Sequence, residues 1–107
     1  MAERLMITTT IDDAGQVILA VAGEVDLATA PQLTECLTAI TDRDVLVDLA
    51  GVTFLDSSGV SALVAGSRAI TEGGHRLRTF GEQDNVRTVF EISGLETMFH
   101  DEAETDE

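Results

Sequence analysis

The sequence predicts an α/β fold: a single domain with a mixed, mostly parallel β-sheet, an N-terminal β-hairpin and about three main helices. Runs of β-branched residues alternate with segments whose apolar residues recur at helical spacing, and this alternation favours parallel strands joined by right-handed crossovers. A turn-rich sequence separates the first two strand-like runs, which indicates a hairpin. The 107 residues suffice for one domain with one core. The predicted order is β-β-α-β-α-β-α-β.

The hairpin is predicted from the N-terminal part of the chain. Leu5–Ile11 is rich in threonine and β-branched residues, which suit a strand. Residues 12–15 (DDAG) have turn chemistry. Residues 16–22 carry apolar side chains at alternate positions and form the second predicted strand. We expect residues 23–26 (GEVD) to be a loop.

A first helix is predicted to begin near Thr29. The Thr29 hydroxyl is placed to cap free amides of the first turn, with Gln32 three residues later as in a capping box. Pro31 falls in the first turn, where its missing N–H costs nothing. One helical face then carries apolar side chains at i, i+3, i+4 and i+7, namely Leu33, Cys36, Leu37 and Ile40. We interpret Cys36 as a small core residue rather than a redox or metal-binding group, and a single cysteine excludes an intramolecular disulfide.

The middle of the chain predicts a strand followed by a long helix. Residues 45–49 form a nearly continuous apolar run, which predicts a central strand covered on both faces. Residues 50–55 are expected to be a connection. A second helix is expected from about Ser58 to Glu72, and Gly73-Gly74 ends it.

The C-terminal third continues the alternation. A strand is predicted at 76–80, and Asp84 is expected to cap a third helix that ends at Ser93-Gly94. Residues 95–100 are predicted to add a last short strand. Residues 1–100 are thus one predicted domain. Residues 101–107 (DEAETDE) are a predicted acidic, flexible tail, because five of these seven residues are acidic.

The charge balance excludes several classes of function. Six arginines and no lysines oppose twenty carboxylates, for a net charge of −14. Such a surface repels nucleic acid and anionic membranes, since proteins bind both mainly through Lys and Arg. The acidity serves either solubility or the attraction of a protein partner of opposite charge, and both interpretations stay open. The sequence shows no signal-peptide pattern and no apolar run of ~20 residues, so we expect a cytoplasmic protein.

The most informative segment is 54–60 (FLDSSGV), where a connection from a strand enters a helix. In open α/β sheets, functional loops gather at the carboxyl ends of the strands, and the first helical turn offers unpaired N–H groups. A phosphate on Ser57 is expected to be partly satisfied by those donors and adds roughly −1.5 to −2 charges beside Asp56. The alternative is that Asp56, Ser57 and Ser58 serve only as helix-capping residues.

The helix after this segment carries a surface of small side chains beside its core stripe. The members of this small-residue surface are Ser58, Ser61, Ala62, Ala65, Gly66 and Ala69. A partner's backbone could approach such a surface closely, and it adjoins Ser57. Packing against a neighbouring helix explains the same residues equally well, and both interpretations stay open.

Three strings of residues resemble one family. Residues 47–60 (VDLAGVTFLDSSGV) resemble the signature of the STAS domain, in particular that of the bacterial anti-sigma factor antagonists. Residues 23–26 (GEVD), followed by a helix around Pro31, resemble the G-E-[LV]-D loop of that family. Residues 86–95 (VRTVFEISGL) resemble its third helix and S-G-L exit. The three strings agree with the family in order and spacing, over about Leu5 to Phe99.

The resemblance implies a regulator rather than an enzyme. Family members of this kind, when unmodified, bind an anti-sigma factor that is also an ATP-dependent serine kinase, and the sigma factor is released. The resemblance implies that the kinase phosphorylates the first serine after the aspartate, here Ser57, and that a serine phosphatase restores the unmodified form. It gives Asp56 the task of orienting the serine and gives Asp26 a place in the contact surface. The predicted partner-binding residues are Asp26, Asp56, Ser57, Ser58, Gly59, Ser61 and Ala62, and no cofactor is expected.

Two other functions compete with this one. A hydrolase triad can be imagined from Ser57 with His75 or His100, but the sequence has no G-x-S-x-G elbow. It also has no metal-binding spacing such as H-E-x-x-H, so we expect neither catalytic residues nor a metal site. The second alternative is a STAS scaffold subunit of a transport or stress-signalling complex, which binds its partners without a phospho-switch.

Overall fold

Four strands and four helices make up the part of the chain that the structure describes. The structure is a computed structural model, and it describes residues 5–99. In chain order the elements are β1 (Leu5–Ile11), β2 (Val17–Val25), α1 (Ala30–Thr38), β3 (Val45–Leu55), α2 (Ser57–Glu72), β4 (Leu77–Phe80), α3 (Asp84–Ser93) and α4 (Glu96–Phe99). The predicted tail at 101–107 lies outside the described residues.

The strands form one mixed sheet in the order β1-β2-β3-β4. β1 pairs antiparallel with β2, whereas β2, β3 and β4 run parallel. The hairpin turn closes as its sequence predicts, because the Asp12 carboxylate accepts hydrogen bonds from the amides of Ala14 and Gln16 at 3.0 and 2.9 Å. The backbone and side-chain hydrogen bonds from Gln16 lower the pKa of the Asp12 carboxyl. The fold class and the N-terminal hairpin are confirmed.

The helices pack on one face of this sheet. Along β3, the side chains of Val45, Val47 and Leu49 are fully buried, whereas Leu46 and Asp48 on the other face are only half-buried. Buried side chains from all four helices join those of the strands in a single core cluster. The prediction that the central strand is covered on both faces is therefore wrong. A continuous apolar run looks the same in sequence whether its second face meets a helix or stays half open.

Both central strands run further than predicted. Residues 23–25 belong to β2 and residues 50–55 belong to β3, where Gly23 pairs with Val52 and Val25 with Leu55. The expected loop at 23–25 and the expected connection at 50–55 are wrong, because these two segments are distant in sequence and pair with each other as strands. The pairing includes two register shifts.

One glycine makes that pairing possible. A Cβ at Gly51 would lie 2.9 Å from the Ala22 Cβ and 3.2 Å from the carbonyl oxygen of Val21. Because real Cβ atoms do not approach that closely, only glycine lets the two strands stay in contact past the first register shift.

The predicted strand at 95–100 is wrong, since the chain forms α4 there. Gly94 adopts a φ of +71° and ends α3, and the Leu95 amide then bonds to the Phe90 carbonyl at 2.9 Å. This reversal turns the chain back onto the core. Phe99 is fully buried with its ring centroid 5.5 Å from that of Phe90. Aromatic packing on the core thus replaces strand pairing.

Two predicted helix caps are also wrong. The Thr29 hydroxyl donates to the Glu24 carbonyl at 2.8 Å and accepts from the Asp26 amide at 2.9 Å, so it closes the preceding loop instead of capping α1 as half of a capping box. Asp84 is the first residue of α3 and therefore follows the capping position. In both cases the motif identified the start of the helix to within one residue.

Candidate functional site

The GEVD and DSSG sequences meet at one edge of the sheet. Val25 and Leu55 are paired at the ends of β2 and β3, and the Asp56 amide donates to the Val25 carbonyl at 3.2 Å. Because the two strands are parallel and about 4.8 Å apart, Asp26 and Asp56 leave the same edge side by side. The structure therefore brings together the two segments that the sequence analysis singled out.

Asp56 begins α2 as its N-cap. Its backbone is extended, and its carboxylate Oδ1 accepts hydrogen bonds from the amides of Ser58 at 2.8 Å and Gly59 at 3.3 Å. Its carbonyl accepts from the Val60 amide at 3.0 Å. The Asp56 carboxylate thus already occupies two of the first-turn amides that we expect to satisfy part of a phosphate on Ser57.

Ser57 is exposed at the first position of α2. Its hydroxyl makes no hydrogen bond to any group of residues 5–99, so it is open to solvent and to an enzyme. The neighbouring Ser58 is half-buried and Gly59 is buried. A Cβ on Gly59 would lie 2.7 Å from Leu55 Cγ and 2.9 Å from Val25 Cγ1, so Gly59 lets the helix sit directly on the ends of the two strands.

Asp26 fixes the loop between β2 and α1. Its carboxylate Oδ1 accepts hydrogen bonds from the amides of Ala28 at 3.0 Å and Thr29 at 3.1 Å. Its carbonyl accepts from the Ala30 amide at 2.7 Å. The loop therefore has a defined shape, and it holds the side chain of Leu27 in solvent with 79% of its area exposed.

The small-residue surface of α2 serves two purposes at once. Ala62 is only 2% exposed, and a Cβ on Gly66 would lie 2.6 Å from Leu37 Cδ1, so this part packs against α1. Ser61 is exposed and Ala65 is half-buried. Ala62 and Gly66 therefore pack against the neighbouring helix, whereas Ser61 and part of Ala65 form an accessible surface.

A groove of about 570 Å³ lies between α1 and α2, and its lining includes Ser58, the residue after Ser57. Its lining consists mostly of apolar and small side chains, namely Leu27, Ala30, Pro31, Thr34, Glu35, Ser58, Ser61, Ala62 and Ala65. The sequence analysis missed the contributions of Leu27 and of α1. No signal in the sequence separates an exposed loop leucine from a buried one.

The histidines do not join this site in the described part of the chain. His75 precedes β4 at the amino ends of the parallel strands, whereas Ser57 follows a carboxyl end. The His75 ring contacts Asp44, with Nδ1 3.3 Å from a carboxylate oxygen, and His100 lies outside the described residues. Within 5–99, no group of three or more potential metal ligands occurs, and no helix is long and apolar enough to span a membrane.

Comparisons with known proteins identify the same family that the three strings of residues resemble. A family described as "Mlab, STAS domain" matches residues 8–100. An anti-sigma-B factor antagonist of Staphylococcus aureus is 35% identical over 96 residues, covering 87% of each chain. The structure of an anti-sigma factor antagonist from Mycobacterium paratuberculosis is similar with a TM-score of 0.79 and 26% identity, covering 90% of this chain and 83% of the other.

A structure of the Bacillus cell fate determinant SpoIIAA in the phosphorylated form shares the fold. Its TM-score is 0.67 at 20% identity, covering 87% of each chain. The family match extends over both segments of the site and over the sheet and helices that position them. This chain belongs to the STAS domain family.

Proposed function

We propose that the chain is an anti-sigma factor antagonist that binds an anti-sigma factor in its unmodified form and is switched off by phosphorylation at Ser57. Its relatives at 33–35% identity carry the name anti-sigma-B factor antagonist. The observation that carries the proposal is the position of Ser57: its hydroxyl is exposed at the entrance of α2, next to the carboxylate of Asp56 and on the sheet edge shared with Asp26.

The switch needs no change of fold. A phosphate adds roughly −1.5 to −2 charges, and the Asp56 carboxylate already accepts hydrogen bonds from the amides of Ser58 and Gly59. In a close interface, a doubly charged group with no cation opposite it costs several kcal/mol of desolvation. A loss of ~3–4 kcal/mol lowers affinity more than a hundredfold.

The partner is an anti-sigma factor that is also a serine kinase, and the chain is its substrate as well as its ligand. The kinase transfers the γ-phosphoryl group of ATP to Ser57 Oγ, with loss of the hydroxyl proton and release of ADP. A serine phosphatase hydrolyses the ester and restores the hydroxyl. Because the reaction uses ATP, the proposed location is the cytoplasm.

The predicted contact residues divide by exposure. Ser57 and Ser61 are exposed, and Asp26, Asp56 and Ser58 are half-buried, so these five are available to a partner. Two further residues, Gly59 and Ala62, are buried and support the surface from beneath.

The test is to purify the anti-sigma factor kinases encoded in the source genome and incubate each with the chain and ATP. Mass spectrometry then locates the phosphate, and calorimetry compares binding of the two forms. We expect phosphate on Ser57 and a loss of affinity of more than about a hundredfold.

Phosphate on another residue, or no kinase that binds the chain, would overturn the proposal. Equal binding of both forms would point instead to a constitutive scaffold subunit. Ester hydrolysis that disappears in Ser57→Ala would point to an enzyme.

A further inference from the structure

The groove between α1 and α2 is not explained by the switch at Ser57. Leu27 lines this groove and is 79% exposed. The hydrogen bonds that the Asp26 carboxylate accepts hold the loop that carries Leu27 in place. An apolar side chain with this exposure contributes little to the core. Exposed apolar residues that border a concave apolar surface typically mark a protein interface.

We propose that this groove binds an amphipathic helix of the anti-sigma factor, with apolar side chains on its floor and a basic side chain facing Glu35. The inference deepens the proposed function, since it names the part of the partner that docks beside Ser57. It assigns partner contacts to Leu27, Thr34 and Glu35, which lie outside the serine segment.

The dimensions of the groove fit a short helix. On the α2 side, the lining extends from Ser58 to Ala65, a span of about 10 Å at 1.5 Å of rise per residue. That length corresponds to two helical turns, which present apolar anchors at i and i+4. Small side chains on both walls, such as Ala30 and Ser61, let another helix approach closely.

The charge of the groove selects a basic partner. Glu35 is exposed on the rim, and it forms no ion pair with any cation of residues 5–99. The chain as a whole carries a net charge of −14. An Arg or Lys on the docking helix therefore meets a complementary field, which favours fast and specific association.

The groove is also continuous with the switch. Its lining begins at Ser58, one residue after the proposed phosphate acceptor. A helix seated in the groove places its end next to Ser57, so a phosphate there acts on a partner that is already in contact. Continuity with Ser57 favours the anti-sigma factor over a second copy of this chain as the occupant.

The groove is tested by measuring how tightly the kinase binds unmodified variants, each groove substitution being compared with a similar substitution on α3. Leu27→Ala is expected to weaken binding about tenfold or more. Ile92→Ala is the control, because Ile92 on α3 is 82% exposed and outside the groove. Likewise, Glu35→Lys is expected to weaken binding and Glu91→Lys, an exposed position on α3, is expected to leave it unchanged.

A photo-crosslinking side chain at position 34 identifies the occupant. Thr34 lies on the wall of the groove, and the cross-linked peptide is sequenced by mass spectrometry. A helical, basic segment of the kinase is the expected result. A cross-link to a second copy of the chain, or to a non-helical part of the kinase, would overturn the inference.

The two proposals fail in different ways. If Leu27→Ala and Glu35→Lys bind as tightly as the native chain while phosphorylation still abolishes binding, the groove inference is wrong and the switch stands. If phosphorylation leaves the affinity unchanged while the groove variants weaken it, the switch is wrong and the groove is still the docking site.

Discussion

Asp56 and Ser57 differ in their hydrogen bonding at the start of α2. The carboxylate of Asp56 holds the amides of Ser58 and Gly59 at 2.8 and 3.3 Å, so it stabilises the first turn. Ser57 makes no such bond within the described residues, and it is exposed. The aspartate therefore stabilises the start of the helix, whereas the serine hydroxyl has no hydrogen-bonding partner among the described residues.

Replacement of Asp56 tests the capping role. Asp56→Ala removes the acceptor of two amides and is expected to lower the free energy of unfolding by ~1 kcal/mol. Asp56→Asn keeps a carbonyl oxygen and is expected to lose less. Urea denaturation measures both. Asp42→Ala is the control, because Asp42 is exposed and accepts no hydrogen bond from residues 5–99; a loss no larger than in that control contradicts the role.

Replacement of Ser57 separates modification from binding. Ser57→Ala is expected to bind the kinase as the native chain does and to accept no phosphate. Ser57→Asp is expected to bind more weakly, because it adds a negative charge to the interface. Thr71→Asp, an exposed position at the other end of α2, controls for net charge. Tight binding of Ser57→Asp in a calorimeter would show that charge at this position does not act as a switch.

At the scale of elements, α1 and α2 are held together by a close approach at Gly66. A Cβ there would lie 2.6 and 2.7 Å from Leu37 Cδ1 and Cβ. The contact fixes the distance between the two helices and hence the width of the groove. The same contact shows why a small residue occurs in the middle of a helix, where glycine is intrinsically unfavourable.

The substitution Gly66→Ala has two opposite effects on the free energy of unfolding, one from helix propensity and one from packing. Propensity alone predicts a gain of ~0.8–1.0 kcal/mol from alanine. Overpacking against the fully buried Leu37 costs ~1–3 kcal/mol. We expect packing to dominate, so the variant unfolds at a lower urea concentration than the native chain. A more stable variant would mean that α1 and α2 separate at little cost.

Elements with a local cause could be predicted from the sequence. The hairpin turn follows from the Asp12 side chain and Gly15, and the end of α2 follows from Gly73. The second half of β3 could not be predicted, because its pairing with residues 23–25 is a contact between distant segments. The same is true of α4, which Phe99 anchors to Phe90.

The candidate site was predictable to the same extent. The resemblance singled out Asp26 and Asp56, but their adjacency follows from the extension of β2 to Val25 and of β3 to Leu55, which the residues alone did not predict. The groove could not be predicted, since it depends on how closely α1 and α2 approach. The exposure of Leu27 likewise depends on hydrogen bonds within its loop.

At the scale of the whole molecule, we expect the net charge to control the rate of encounter with the proposed partner. A net charge of −14 attracts a basic surface over distances comparable to the Debye length, ~10 Å at 0.1 M salt. The association rate constant for the kinase is therefore expected to fall steeply as salt rises, whereas the dissociation rate constant changes less. Stopped-flow fluorescence measures both. An association rate constant that is independent of salt would show that the acidity serves solubility alone.

The central claim is that one phosphate at the entrance of α2 changes binding without changing the fold. The most direct measurement is the affinity of one preparation for the kinase before and after stoichiometric phosphorylation, with an amide NMR spectrum of each form. The account predicts a loss of affinity of more than about a hundredfold and spectral shifts confined to the residues around Ser57 and the groove. Equal affinities, or shifts spread over the whole sheet, would contradict it.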